Sequence, residues 1–230
     1  MKTIVLTGAS KGIGYHTALK LLESGCKVIA IARSTDKLEE LQLEAASSLL
    51  KIISADLTNS DDIQKIQEYV ADTNGIDGLI NNAGALVNKP FSETAKDEWQ
   101  HIFDVNLFAP VKLIQSLKPY LNKGSHVVNI GSMGGFQGSD KFPGLAAYSS
   151  AKGALGILSE CLSTEFSSDE ISVNCLCLGA VQTSMLEEAF PGYQAPVQAN
   201  EMGSYISDFA LKGHKFMNGK IIPIALNNPE

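Results

Sequence analysis

Tyr148 and Lys152 stand four residues apart in the run Tyr148-Ser149-Ser150-Ala151-Lys152. On a helix that spacing puts both side chains on one face. A lysine beside a tyrosine favours the phenolate, so the phenol is expected to release its proton below its ordinary value of about 10. Such a pair can donate and accept a proton near neutral pH. Ser132 follows the apolar run Val127-Val128-Asn129-Ile130-Gly131. A hydroxyl at a strand end can hydrogen-bond a substrate oxygen. Alone, a Tyr and a Lys at this spacing describe many ordinary surface helices. The elements around them decide whether they are a site.

Residues 2–7 read as a buried strand. Gly8-Ala9-Ser10-Lys11-Gly12-Ile13-Gly14 follows, and then a helical pattern through Leu22 with Ala18, Leu21 and Leu22 on its apolar face. Strand, glycine-rich turn and helix is the setting a dinucleotide phosphate loop needs. Glycines let the backbone approach a pyrophosphate, and the helix start offers unpaired N–H groups. The spacing is G-x-x-x-G-x-G rather than the commoner G-x-G-x-x-G. A second strand, 27–32, ends at Arg33. A site for NAD places a carboxylate there, about 20 residues past the glycines, on the ribose 2′-hydroxyl. Ala32 and Arg33 occupy that region instead. Nothing there repels a 2′-phosphate, and Arg33 can bind it, with Lys11 as a second cation. The plainer reading is two solvated cations. Their joint position favours NADP(H), with NAD(H) possible.

Residues 35–48 read as a polar helix and 50–55 as a third strand, followed by Asp56. Asp56 can meet an adenine amino group or cap the helix at 60–72. A fourth strand, 77–80, ends in Asn81-Asn82-Ala83-Gly84, which suits a cofactor lying across that edge. Residues 95–121 read as a long helix, shifted near Asn106 and Pro110. Asn106 sits among apolar neighbours and needs partners. These are either backbone groups or a proton relay. A fifth strand, 125–130, leads to Ser132, and the helix opened by Tyr148 runs to about 167. A sixth strand spans 171–178. Residues 184–200 read as a mobile loop with short helical pieces, 201–212 as a helix and 220–226 as the last strand. Strands alternating with helices imply a parallel sheet covered on both faces.

The 230 residues fit one α/β domain, 1–230. Hydrophobic residues are 44% and charged ones 19%, ordinary for a globular protein. The net charge of -7 gives no basic face for nucleic acid. Cys26, Cys161, Cys175 and Cys177 read as reduced thiols. His16, His101, His126 and His214 are scattered, so no metal is expected. The first apolar run is too short for a signal-peptide core, and no stretch reaches a membrane span. A cytoplasmic protein is expected, without membrane or nucleic-acid partners.

Taken in order, Thr7-Gly8-x-x-x-Gly12-Ile13-Gly14, Asp56, Asn81-Asn82-Ala83-Gly84, Asn106, Ser132, Tyr148-x-x-x-Lys152 and Asn174 resemble the short-chain dehydrogenase/reductase family over nearly the whole chain. The resemblance implies a Rossmann-type doubly wound parallel sheet of about seven strands with helices on both faces. It implies Tyr148 as acid/base and Lys152 lowering its pKa and holding the nicotinamide ribose. By the same likeness Ser132 orients the carbonyl, and Asn106 holds a relay water. Thr183 would touch the carboxamide, and Ser10, Leu57, Gly179 and Val181 would join the glycine loop, Arg33, Asp56, Asn82, Ala83 and Gly84 around the cofactor. A homo-oligomer, dimer or tetramer, is implied too. The expected activity is NADPH-dependent reduction of a small-molecule carbonyl to an alcohol. The alternatives are the reverse oxidation of an alcohol or sugar, and NADP(H) sensing without turnover. Three departures stand out. Leu178-Gly179 replaces the family's Pro-Gly. The fifteen residues between Ser132 and Tyr148 exceed the usual gap. The closing glycine pair near the C-terminus is missing.

Overall fold

Ile4-Val5-Leu6 and Val28-Ile29-Ala30-Ile31 do not alternate with polar residues, and all seven are buried. Unbroken apolar runs of this length suit strands covered on both faces. The computed structural model describes residues 1–226; residues 227–230 of the expected unit lie outside it. Its strands are β1 (Thr3–Thr7), β2 (Lys27–Ala32), β3 (Leu50–Ser54), β4 (Ile76–Asn81), β5 (Leu121–Ser132) and β6 (Ser172–Leu178). A short pair, β7 (Val181–Gln182) and β8 (Val197–Gln198), precedes β9 (Ile221–Ile224). The helices are α1 (Gly12–Glu23), α2 (Thr35–Ala45), α3 (Ser60–Ala71), α4 (Lys96–Phe103) and α5 (Ala109–Leu117). Beyond them come α6 (Ala146–Glu165), α7 (Ser184–Ala189) and α8 (Ala199–Lys212).

Seven strands form one parallel sheet in the order β3-β2-β1-β4-β5-β6-β9. The order reverses between β1 and β4. Crossovers leave that junction in opposite directions and open a crevice at the strands' C-terminal ends. Thr7-Gly8 and Asn81-Asn82 sit there. One apolar layer packs Leu6, Ile80 and Val128 against Ala18 of α1 and Ile206 of α8. The other packs Val5, Leu79 and Val127 against Ile66 of α3 and Leu113 of α5. A Cβ at Gly203 would stand 2.8 Å from Thr17 N, so α8 rides flush on α1. Among the described residues no helix is long and apolar enough to cross a membrane.

Several boundaries differ from the sequence reading. The helix expected over 95–121 is three pieces. α4 and α5 are joined by a widened turn, Asp104–Phe108, in which Ala109 N–H bonds Asp104 O. A 3-10 turn then occupies Lys118–Tyr120. The fifth strand starts at Leu121, not 125, because Leu121 pairs with Ile76 across an irregular register. α6 begins at Ala146, so Tyr148 lies inside its first turn. The final strand is shorter than 220–226. It takes the sheet edge, where Pro223 needs no outward N–H partner. β8 lies inside the expected loop, 184–200, and pairs with β7 just before it through Val181↔Val197 and Gln182↔Gln198.

Candidate active site

The glycine loop is shaped by backbone geometry that side chains would spoil. Gly8 and Gly12 have φ of +69° and +58°, a left-handed region favouring glycine. A Cβ at Gly14 would stand 2.2 Å from Gly8 O. Asn82 Nδ2 donates to Thr7 O at 3.0 Å and Gly8 O at 3.2 Å. Thr7 Oγ1 accepts from Asn82 N and Ala83 N, both at 3.0 Å. β1 and β4 are thereby fastened at the point where the crevice opens. Lys11, the N-cap of α1, makes no side-chain cap. First-turn N–H groups of a helix without a cap are ready for an anion. Loop and helix start thus form a cradle that fits a dinucleotide pyrophosphate.

One cleft is lined by Gly8, Ser10, Lys11, Gly12, Ile13, Gly14, Arg33, Asp56, Leu57, Asn82, Ala83, Gly84, Tyr148, Lys152 and Thr183. These were expected around a cofactor on sequence grounds, and the fold brings them together. Two others do not line it. Gly179 lies against Ala225, whose Cβ is 2.8 Å from where a side chain would begin. Val181 is buried in β7, with only 6% of its surface exposed. The cleft also takes in Thr58, Ser184 and Met185, which the sequence reading missed. Their signal was positional, since each follows a strand end beside a residue already chosen.

At the end of the cleft next to β2, Arg33 is exposed. Asp56 accepts from Thr58 N at 2.9 Å and Thr58 Oγ1 at 2.7 Å. Those two bonds, helped by Arg33, hold its carboxyl below the usual range. Asp56 is not the cap of α3. Asn59 Oδ1 takes that place, accepting from Asp61 N and Asp62 N. Lys11 Nζ lies 4.0 Å from Glu188 Oε1 of α7.

At the other end Tyr148 is partly buried and packs on Ile102, Ala147 and Ala151 with Val87 and Trp99 alongside. Lys152 is 4% exposed. Its Nζ donates to Ile130 O at 2.7 Å and stands 5.9 Å from the centre of the Tyr148 ring. Burial pushes Lys152 down to about 8. Burial raises Tyr148, while the neighbouring Ser132 hydroxyl pulls it back. The expected depression of Tyr148 by Lys152 is therefore absent here. The ammonium is turned to a carbonyl, and desolvation of the phenol dominates. Ser132 Oγ, at the end of β5, accepts from Gly134 N at 3.1 Å. A Cβ at Gly135 would stand 2.5 Å from Gly153 N, so the chain after Ser132 runs hard against α6.

A family model described as short chain dehydrogenase matches residues 2–194. The chain belongs to the short-chain dehydrogenase family. An uncharacterized oxidoreductase from Staphylococcus saprophyticus is 34% identical over 191 residues, 81% of this chain and 76% of that protein. Among solved structures, a short-chain dehydrogenase/reductase of the glucose/ribitol dehydrogenase type from Brucella melitensis superposes with a TM-score of 0.88 at 26% identity. It covers 97% of this chain and 94% of that one. The Pseudomonas aeruginosa RhlG/NADP active-site complex gives 0.87 at 26% identity over the same shares, 97% and 94%. The chain is accordingly an oxidoreductase using a nicotinamide cofactor, NAD(P).

Two other family positions have clear partners. Asn106, fully buried, lies in the widened turn. Its Nδ2 donates to Ala85 O at 2.8 Å and Ile102 O at 2.9 Å, and its Oδ1 accepts from Ala85 N at 3.3 Å. The side chain is thus occupied by backbone. Asn174 lies away from the cleft, pairing with His126 Nε2 and Met217 O, each at 2.9 Å, and with Lys220 N at 3.0 Å. It ties β6 to β5 and to the approach of β9.

Proposed function

We propose that this short-chain dehydrogenase reduces a carbonyl of a small molecule to an alcohol with NADPH. Tyr148 and Lys152 line the cleft that holds the glycine loop, and the Ser132 hydroxyl stands beside Tyr148; that arrangement carries this reading. The bound nicotinamide supplies the hydride. Ser132 and Tyr148 donate to the substrate oxygen as negative charge develops there. Tyr148 then gives its proton to that oxygen. A phenol raised by burial stays protonated through neutral pH, which suits reduction better than oxidation. Lys152 holds a positive charge behind the phenol and reaches the nicotinamide ribose. Asn106 has no free side-chain donor, so any part in a relay falls to the main chain of its widened turn. The glycine loop and α1 hold the pyrophosphate, Asp56 the adenine and Thr183 the carboxamide. Arg33 and Lys11 hold the 2′-phosphate and set the preference for NADPH.

The same reading makes residues 1–230 one domain. It places the chain in the cytoplasm, in keeping with four unpaired cysteines among the described residues. It also makes the chain a homo-oligomer, in keeping with exposed Phe108 and Ile157 on neighbouring helical segments. The activity is tested by following NADPH absorbance with ketones, 3-oxoacyl thioesters and sugars. Oxidation with at least one carbonyl class is expected. Tight NADPH binding without oxidation across the panel would make the chain a cofactor sensor instead.

A further inference from the structure

A hydroxyl has one proton to give and two lone pairs to receive with. At Ser132 one lone pair is taken by Gly134 N–H, at 3.1 Å. That bond turns the hydroxyl and leaves its proton for the neighbouring Tyr148 oxygen or a substrate oxygen. The placement of Gly134 therefore sets where the Ser132 proton points.

Gly134 lies in a single 3-10 turn, Met133–Gly135. It is pressed close to α6, since a Cβ there would stand 2.8 Å from Ser149 Oγ. Internal hydrogen bonds of such a turn have poor geometry. The carbonyls of this turn and its cap are held instead by the long segment before Tyr148. Ser139 Oγ shares its proton between Met133 O and Phe136 O, the latter at 2.9 Å. Lys141 Nζ donates to Phe136 O at 2.7 Å, to Ser139 O at 2.9 Å and to Ser139 Oγ at 2.7 Å. Three acceptors match the three protons of the ammonium, and bonds from a charged donor are the stronger kind. Exposed as it is, Lys141 spends all three on its own loop. Ser139 and Lys141 both belong to the stretch whose length exceeds the family's usual gap.

We propose that Lys141 is a positioning residue for the reduction. Through Ser139 and the carbonyls of Met133 and Phe136 it fixes Gly134, and so the direction in which Ser132 presents its proton. The inference rests on the reductase reading above. A lysine that only stapled the loop would change stability and leave the Ser132 step alone.

The test is a double-mutant cycle with Ser132. Lys141→Met keeps the length of the side chain and removes its donors; Lys141→Arg restores donors. With NADPH saturating and a carbonyl that the unaltered chain reduces, Lys141→Met should lower kcat by about ten-fold or more. The NADPH dissociation constant should stay the same, and Lys141→Arg should lie closer to the unaltered chain. In a Ser132→Ala background the same Lys141→Met change should cost less than about two-fold, because the group it positions is gone. Equal losses in both backgrounds make Lys141 a loop staple and overturn the proposal, as does an unchanged kcat for Lys141→Met. Both outcomes leave the reductase reading standing. Where Lys141→Met fails to fold, Ser139→Ala takes its place in the same cycle. Absence of turnover by the unaltered chain with every carbonyl tried overturns both the reductase reading and this one.

Discussion

Burial raises the pKa of Tyr148, and that sets a pH dependence. The reductive rate needs the phenol protonated. With its pKa raised, reduction should hold steady through neutral pH and fall only in the alkaline range. The reverse oxidation needs the phenolate and should climb there. Profiles of kcat/KM in both directions test this; a reductive rate halved near pH 7 would contradict it. The residue types of this site were legible in the sequence. The sign of the Tyr148 shift was not, because it depends on how Ala147, Ala151 and Ile102 enclose the ring and on Lys152 turning to Ile130 O. Arg33 gives a second prediction at this scale. Its charge-assisted contact with a 2′-phosphate is worth about 1.5–3 kcal/mol, towards the low end for an exposed side chain. Ala32→Asp with Arg33→Ile should weaken NADPH binding at least about ten-fold and gain some use of NADH. Dissociation constants for both cofactors at fixed salt decide it. Equal affinity of the unaltered chain for both would make Arg33 a plain surface charge.

Among the elements, β5 and β6 carry both the site and a buried titratable group. His126 on β5 is 1% exposed. It faces Asn174, Ala210 O, His214 and Lys2. Burial holds its pKa at about 4, against about 6.5 in the unfolded chain. Between those values the unfolded chain binds a proton that the folded chain refuses. The contribution of His126 to stability is thus whole above about pH 6.5. It is lost as pH falls towards 4, by about 3 kcal/mol. Thermal unfolding from pH 7.5 to 4.5 should show the midpoint falling, and His126→Gln should flatten that fall. Parallel curves for the two proteins would assign the acid sensitivity elsewhere. From sequence His126 looked like one of four scattered histidines, since its burial comes from α8 packing back on the sheet. Strands with long apolar runs were legible. The β7–β8 pair was not, because two-residue strands carry no periodicity. The widened turn at Asn106 showed only as an interruption near Asn106 and Pro110.

For the whole molecule, a parallel sheet with helices on both faces was implied by alternating strands and helices, and its seven strands by the family likeness; the strand order came from the structure. The contact between Phe142 and Phe190 was not legible, because the two rings meet only once the segments that carry them are folded. The proposed homo-oligomer would cover the exposed Phe108 and Ile157. Light scattering at micromolar concentration should report a dimer or tetramer, and Ile157→Glu should shift it to smaller species. A monomer for the unaltered chain would contradict the proposed homo-oligomer. Whether the parts make a reductase turns on one proton. Tyr148→Phe keeps the ring and its packing and removes only the hydroxyl. With NADPH and a carbonyl that the unaltered chain reduces, kcat should drop by roughly 10²–10⁴-fold while the NADPH dissociation constant stays the same. Turnover within a few-fold of the unaltered chain would contradict Tyr148 as the proton donor.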